Sequence, residues 1–164
     1  MEDLLDVLQY VPEGEERVAL NDWAYQTLEQ MELPLKKRRA SSWGEYEKKF
    51  PAFSVAARIL LKKYGLDLPP EVHDLRPEQV QQSEDLLAYS VPVIDRYVRL
   101  YLMRTQNVSC LELAERVKKH LRLLGVQITE TGNQRCASPV NRILAYSKNK
   151  AEALRPILKR EREL

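Results

Sequence analysis

Histidine and cysteine, the side chains that proteins use most often for acid–base and metal chemistry, are scarce in this sequence. The chain has two histidines, His73 and His120, and two cysteines, Cys110 and Cys136. None of them belongs to an HxxxH, HExxH or CxxC pattern, so neither a metal site nor a disulfide is indicated. The five glycines form no loop that would hold nucleotide phosphates or activate a serine. The sequence therefore predicts a protein that is not an enzyme and that uses no cofactor or metal ion.

Two segments that are rich in Lys and Arg and free of acidic residues are better candidates for function. The first extends from residue 48 to residue 66. Its cations are Lys48, Lys49, Arg58, Lys62 and Lys63. Arg58 and Lys62 are four residues apart on one predicted helix, where like charges repel each other unless an anion relieves them. The spacing therefore predicts a negatively charged group next to this pair.

The second segment extends from residue 131 to residue 151 and also lacks Asp and Glu. Its candidate binding residues are Arg135, Arg142, Tyr146, Lys148 and Lys150. Asparagine, glutamine and serine residues lie between them. Cations contact phosphates, amides and hydroxyls form hydrogen bonds with bases, and an aromatic ring stacks on a base. This composition makes the segment the best candidate for a nucleic-acid-binding site.

Charge is segregated along the chain, although the net charge is only +2. Residues 1–34 and 64–95 are acidic, whereas residues 35–63 and 96–164 are basic. Two interpretations remain open at this point: the acidic segments neutralise the basic ones within the fold, or the basic faces bind a polyanion.

Most segments space their apolar residues three and four apart, which predicts helices. We expect helices over residues 2–11, 16–32, 53–64, 77–88, 92–106 and 110–124. Pro92 is predicted to begin its helix, and Gly65 and Gly125 are typical of the residue that follows a helix. Ser42 with Glu45, and Ser109 with Glu112, have the spacing of capping boxes.

Residues 126–137 alternate weakly around a Gly132-Asn133 turn and predict a short hairpin. Ser138-Pro139 should begin a further helix, with Val140, Ile143 and Leu144 facing inward and a kink or a restart at Pro156. Three prolines between residues 67 and 77 favour a boundary there. The predicted fold is therefore all-α, a multi-helix bundle of two small lobes (1–68 and 77–164) with a short hairpin near residues 126–137.

The order helix, turn, helix and hairpin over residues 92–137 resembles winged helix-turn-helix proteins. The segment Ser109-Cys110-Leu111-Glu112-Leu113-Ala114-Glu115-Arg116-Val117 is similar to a helix found in many such domains. The resemblance covers less than a third of the chain and implies DNA binding.

The function that these patterns favour is non-catalytic binding of DNA or RNA. The protein would be either a helix-turn-helix-like regulator or a small helical subunit of a nucleoprotein complex. The alternative is a protein-interaction adaptor, which would be favoured if Trp23, Trp43, Phe50 and Phe53 line a surface groove. The chain has no apolar run long enough to cross a bilayer, an acidic amino terminus and few cysteines. We therefore expect a cytoplasmic protein that does not bind membranes.

Overall fold

The computed structural model describes residues 1–162, except for the side chains of Gln82, Val140, Asn141, Ala151 and residues 154–162. Within that range the chain forms eight α-helices and two short antiparallel hairpins, which confirms the all-α class. The elements are α1 (Glu2–Gln9), α2 (Leu20–Gln30), β1 (Glu32–Leu33), β2 (Arg38–Arg39), α3 (Trp43–Lys49), α4 (Pro51–Lys63), α5 (Pro77–Val80), α6 (Leu86–Tyr97), α7 (Val108–Leu123), β3 (Val126–Ile128), β4 (Asn133–Arg135) and α8 (Pro139–Arg162). None of the helices described is long and apolar enough to cross a membrane.

The chain forms two compact units, Met1–Val117 and Lys118–Leu164. We call them the N-terminal unit and the C-terminal unit. The boundary that the prolines favour, between residues 67 and 77, lies inside the N-terminal unit.

The core of the N-terminal unit is built around α4, which packs against α2, α3 and α6. The spacing predicts one buried face of Phe53, Ala56, Leu60 and Tyr64. The first three are buried, but Tyr64 is 41% exposed, and Ile59 and Leu61 are buried as well. An apolar helix that is covered on most of its surface lies in the interior rather than at the edge of a bundle. Gly65, with φ of +69°, ends α4 in the left-handed conformation that its sequence predicts.

The segment between α1 and α2 is held by side chains instead of forming the predicted helix from residue 16. Buried Arg17 donates hydrogen bonds to the carbonyls of Leu8 and Tyr10 and to the Tyr97 hydroxyl. The Tyr97 hydroxyl donates to the Val18 carbonyl, and the Val18 amide donates to Tyr101 Oη at 2.8 Å. The bond from Tyr97 occupies the Val18 carbonyl, which a helix from residue 16 would pair with the amide four residues later, and α2 begins only at Leu20.

The predicted helices over residues 77–88 and 92–106 are wrong in their bounds. Asp85 caps α6 by accepting hydrogen bonds from the Leu87 and Ala88 amides. The helix therefore begins at Leu86 and contains Pro92, which removes one backbone donor without ending it. A π-helical turn over Val98–Leu102 follows α6. Asn107 rather than Ser109 caps α7, since Asn107 Oδ1 accepts a hydrogen bond from the Ser109 amide at 2.9 Å.

The C-terminal unit contains the predicted hairpin, in which Val126 pairs with Arg135 and Ile128 pairs with Asn133. Gly125 has a φ of +83°, and a β-carbon there would meet the Cys136 carbonyl at 3.2 Å. The Cys136 amide donates to the Gly125 carbonyl at 2.8 Å, and Ser138 Oγ donates to the Leu123 carbonyl at 2.7 Å. These bonds close the hairpin just before α8 begins.

The predicted orientation of α8 is wrong for the side chains that the structure describes. Ile143 and Leu144 are 66% and 61% exposed instead of facing inward, and Val140 lies outside the described side chains. The helix continues through Pro156 and does not restart there.

Candidate nucleic-acid interface

Arg58, the one arginine of the first basic segment, is buried inside the N-terminal unit. Its residue exposure is 1%, and its Nε donates to the Ser54 carbonyl at 2.9 Å. Its Nη1 donates to the carbonyls of His73 and Asp74 at 2.9 and 3.0 Å. Its Nη2 pairs with the Glu47 carboxylate, and the guanidinium lies 4.9 Å from the centre of the Trp43 ring. This arrangement fastens the proline-rich segment before α5 to the middle of α4.

The charge at this site is balanced within the protein. Burial lowers the pKa of Arg58, and the Glu47 carboxylate opposes that effect. Partial burial alone would raise the pKa of Glu47, but hydrogen bonds from Gln79 and the charge of Arg58 lower it overall. Glu47 is thus the anion that the Arg58 and Lys62 spacing predicts. No phosphate can reach Arg58, so its place among the predicted nucleic-acid contacts is corrected to a structural role.

The four lysines of the first segment lie on the surface, as a binding role requires. Lys48, Lys49, Lys62 and Lys63 are all exposed. Lys62 pairs with Asp74, and this contact lowers the pKa of the Asp74 carboxyl. Part of the positive charge of this segment is therefore neutralised by the protein itself, as the internal-pairing interpretation requires.

Most of the described residues of the second segment are exposed in the C-terminal unit, although Ser138 is buried. All residues of β4 are exposed, including Arg135. Every residue from 142 to 150 is exposed as well, and Tyr146 has 71% of its surface accessible. Arg135, Arg142, Lys148 and Lys150 form no ion pair with any side chain that the structure describes.

Three of these residues share one face of α8. Arg142, Tyr146 and Lys150 are successively four residues apart, so they follow one another along the same side of the helix. With a rise of about 1.5 Å per residue, the two cations are about 12 Å apart, with the aromatic ring between them. Sequence reasoning placed these residues in one segment but missed the shared face, although the four-residue spacing was its signal.

The aromatic residues whose exposure would favour an adaptor are mostly buried. Trp43 and Phe53 are each 3% exposed, and Trp23 packs edge-on against Phe53 and Tyr97. Phe50 alone of the four lines a surface groove, together with Leu33, Leu35 and three lysines. The sequence analysis named Phe50 but missed Leu33 and Leu35, because these two lie at the turn between β1 and β2 and not on a periodic helix.

Among the described residues, no three His, Cys, Asp or Glu side chains come together in a way that could hold a metal ion. Comparison with models of protein families, with curated proteins and with solved structures found no match. The exposed surfaces of the chain itself are therefore the indication of its function.

Proposed function

We propose that the protein is a non-catalytic nucleic-acid-binding protein that contacts the phosphate backbone through its C-terminal unit. The observation that supports this most directly is the exposed face of Arg142, Tyr146 and Lys150 on α8, in a segment that lacks acidic residues. Cations without acidic partners attract a polyanion and release its counterions. A tyrosine between them offers a ring on which an unpaired base can stack.

The chemistry of this face favours a single strand over a duplex read in the major groove. Stacking on Tyr146 requires a base that is free of its own stack, which single-stranded DNA or RNA supplies. Asn133 and Gln134 on the adjacent exposed β4 add amide groups for hydrogen bonds to bases. The protein would then act as a small helical subunit that lines a strand in a nucleoprotein complex, in the cytoplasm and with reduced cysteines.

A helix-turn-helix-like regulator is the second version of this proposal. It is favoured by one observation, the hairpin that follows α7 directly, as a wing follows a recognition helix. In that version a duplex with a defined sequence would bind more tightly than a single strand, and α7 would enter the major groove.

The test is binding of the purified protein to labelled single-stranded DNA, single-stranded RNA and duplex DNA over a series of salt concentrations. About four phosphate contacts on a single strand predict a slope of log affinity against log salt near −3. Replacing Arg142 and Lys150 by alanine should weaken binding at least tenfold and reduce the slope by about 1.4.

The control is Lys36→Ala with Lys37→Ala, which removes the same charge from an exposed turn outside the predicted set. It should leave affinity within about twofold if the site is on α8. An equal loss in both double variants would show diffuse attraction instead of a site. An absence of binding at roughly 100 μM protein in low salt, where nonspecific binders respond, would contradict the proposal.

A further inference from the structure

We propose that the protein associates with a second copy of itself, with the outer face of α1 from one copy seated in a basic groove of the other. This inference is independent of nucleic-acid binding, because both surfaces belong to the N-terminal unit. The groove has a volume of about 460 Å³. It is lined by residues 33–36 of the first hairpin and by Glu45, Lys48, Lys49 and Phe50.

Part of the lining of the groove is apolar, and one of its apolar side chains is highly exposed to solvent. Leu35 is 87% exposed, the most exposed of the large apolar side chains that the structure describes. Its position is fixed by the turn, in which Pro34 begins a short 3₁₀ helix and the Lys37 amide donates to the Pro34 carbonyl at 3.3 Å. Leu35 lines this groove together with Pro34 and Phe50, and an apolar patch rimmed by polar residues is typical of a surface that a partner covers.

The rim of the groove is positively charged. Lys36, Lys48 and Lys49 surround it, and Glu45 is its one carboxylate. Glu45 is neutralised by the protein, since Arg38 pairs with both of its oxygens and the Ser41 amide and hydroxyl donate to it at 2.9 Å. These bonds, the one from Arg38 first, hold the pKa of Glu45 far below its usual value. The occupant should therefore be acidic and should carry a large apolar side chain.

The outer face of α1 has this chemistry. Leu4, Leu5 and Leu8 of α1 face the core, while Asp3, Asp6, Val7 and Tyr10 lie on the opposite side at spacings of three and four. Tyr10 is 68% exposed and Val7 is 40% exposed. Asp3 and Asp6 form no ion pair with any side chain that the structure describes. The Tyr10 carbonyl accepts a hydrogen bond from Arg17, so the backbone that carries this ring is fixed.

The two surfaces lie toward opposite ends of α4, and so one chain cannot satisfy both by itself. Burial, and after it the nearby charge of Asp6, raise the pKa of Tyr64, which follows the last residue of α4, whereas Phe50 precedes its first residue. A helix of 13 residues is about 20 Å long. Complementary surfaces at different places on one molecule make either a closed dimer with two such contacts or a head-to-tail chain.

A nucleic acid fits the groove less well than α1 does. Phe50 is the groove's one aromatic side chain, the Arg96 guanidinium lies 4.1 Å from the centre of its ring, and the Tyr46 ring packs against it at an angle of 61°. A base that stacked there would compete with these contacts, and it would find no amide side chain to read its edge. The outer face of α1 presents the Tyr10 ring with the carboxylates of Asp3 and Asp6 beside it. This arrangement complements the apolar lining and the lysine rim of the groove.

The experiment is sedimentation velocity of the full chain without nucleic acid, at protein concentrations up to roughly 1 mM, the range of weak association. The wild type should self-associate. Tyr10→Glu and Leu35→Glu should each weaken self-association at least tenfold, because each places a charge at the apolar contact. Both side chains are exposed, so thermal unfolding should be unchanged.

A mixture of the two variants decides the proposal. Each variant retains the surface that the other has lost, and an equimolar mixture should therefore form a 1:1 dimer and nothing larger. Val108→Glu, which adds the same charge at an exposed apolar residue away from the groove, should behave like the wild type.

A charge exchange gives a second readout. Lys48→Glu with Lys49→Glu should abolish association, and adding Asp3→Lys with Asp6→Lys to the same chain should restore it. A wild type that stays monomeric at every concentration would overturn the proposal, as would a mixture that forms no dimer. An effect of Leu35→Glu without an effect of Tyr10→Glu would also overturn it, because the occupant would then be a different surface or a different molecule.

Discussion

The two acid-free basic segments look alike in sequence, yet the fold treats them differently. In the first, α4 is the centre of a packed unit, and Glu47 and Asp74 from outside the segment pair with Arg58 and Lys62. In the second, every residue from 142 to 150 on α8 is exposed, and Arg142, Lys148 and Lys150 form no ion pair with any side chain that the structure describes. A lack of acidic residues within a segment therefore says little about how much of its positive charge remains unpaired after folding. The neutralising groups come from neighbours in space, which the local sequence does not contain.

The largest expected effect is the loss of stability on substitution of Arg58, the buried cation of the first segment. Arg58→Ala removes the buried charge that pairs with Glu47, which keeps its weaker contacts with Gln79 and Arg76, and it leaves the His73 and Asp74 carbonyls without this donor. It should therefore lower the free energy of unfolding by about 3 kcal/mol. Arg58→Lys should recover only part of this, because an ammonium cannot make the same set of contacts. Urea unfolding followed by circular dichroism measures both.

Lys63→Ala is the matched control in the same helix. Lys63 is exposed and makes no ion pair within the described part of the chain, so its loss should change stability by less than about 0.5 kcal/mol. Equal effects of the two substitutions would remove the contrast between a buried and an exposed cation.

The next largest effect concerns Tyr146 of the second basic segment, which is compared with Tyr64 of the first. Tyr146→Ala should weaken binding of single-stranded nucleic acid about tenfold, because stacking on an aromatic ring contributes about 1–3 kcal/mol per base. Tyr146→Phe retains the ring and should bind like the wild type. The salt dependence should be unchanged in both, since no phosphate contact is lost.

Tyr64→Ala tests whether the first segment shares this role. Tyr64 is 41% exposed and lies near the end of the first segment, and we expect its loss to leave nucleic-acid affinity within about twofold. Fluorescence anisotropy with a labelled oligonucleotide compares the three variants. A loss for Tyr64→Ala as large as that for Tyr146→Ala would mean that both segments form the binding surface.

The smallest effect is the titration of Asp74, the surface partner of Lys62. The Lys62 ammonium lowers the pKa of Asp74, so the pair stabilises the fold above the ordinary aspartate value near 4. That contribution is lost as the pH falls through the lowered pKa. NMR titration of the carboxyl should show the low pKa in the wild type and an ordinary value in Lys62→Ala. An ordinary pKa in both would mean that Lys62 is free to meet a phosphate.

Those parts of the fold that depend on local chemistry could be predicted from the sequence. Gly65 and Gly125 end their helices, Ser42 caps α3 through the Glu45 amide, and the hairpin forms around Gly132. Each of these signals is contained within a few residues, so no knowledge of the rest of the fold was needed.

The remaining features depend on contacts between distant residues. Arg17 and two tyrosines about 80 positions further along the chain hold an extended segment where the local pattern predicts helix. Arg58 could be placed on a helix face from its spacing, but its burial depends on Trp43, Glu47 and the proline-rich segment coming together. The apolar residues of α8 have the spacing of a buried helix face, but spacing alone does not say whether other elements pack against that face.

The contacts of Arg58 also bear on how the chain responds to proteases. The proline-rich segment between residues 67 and 76 would be expected to be cut first, since it lacks helices and strands and connects two helical regions. Its carbonyls at positions 73 and 74 are bound by a buried guanidinium, and Val72 is buried beside them. A protease needs an extended, accessible strand, and that strand becomes available only when these contacts open. Cleavage there should therefore follow the opening equilibrium of the whole N-terminal unit and not the local motion of a loop.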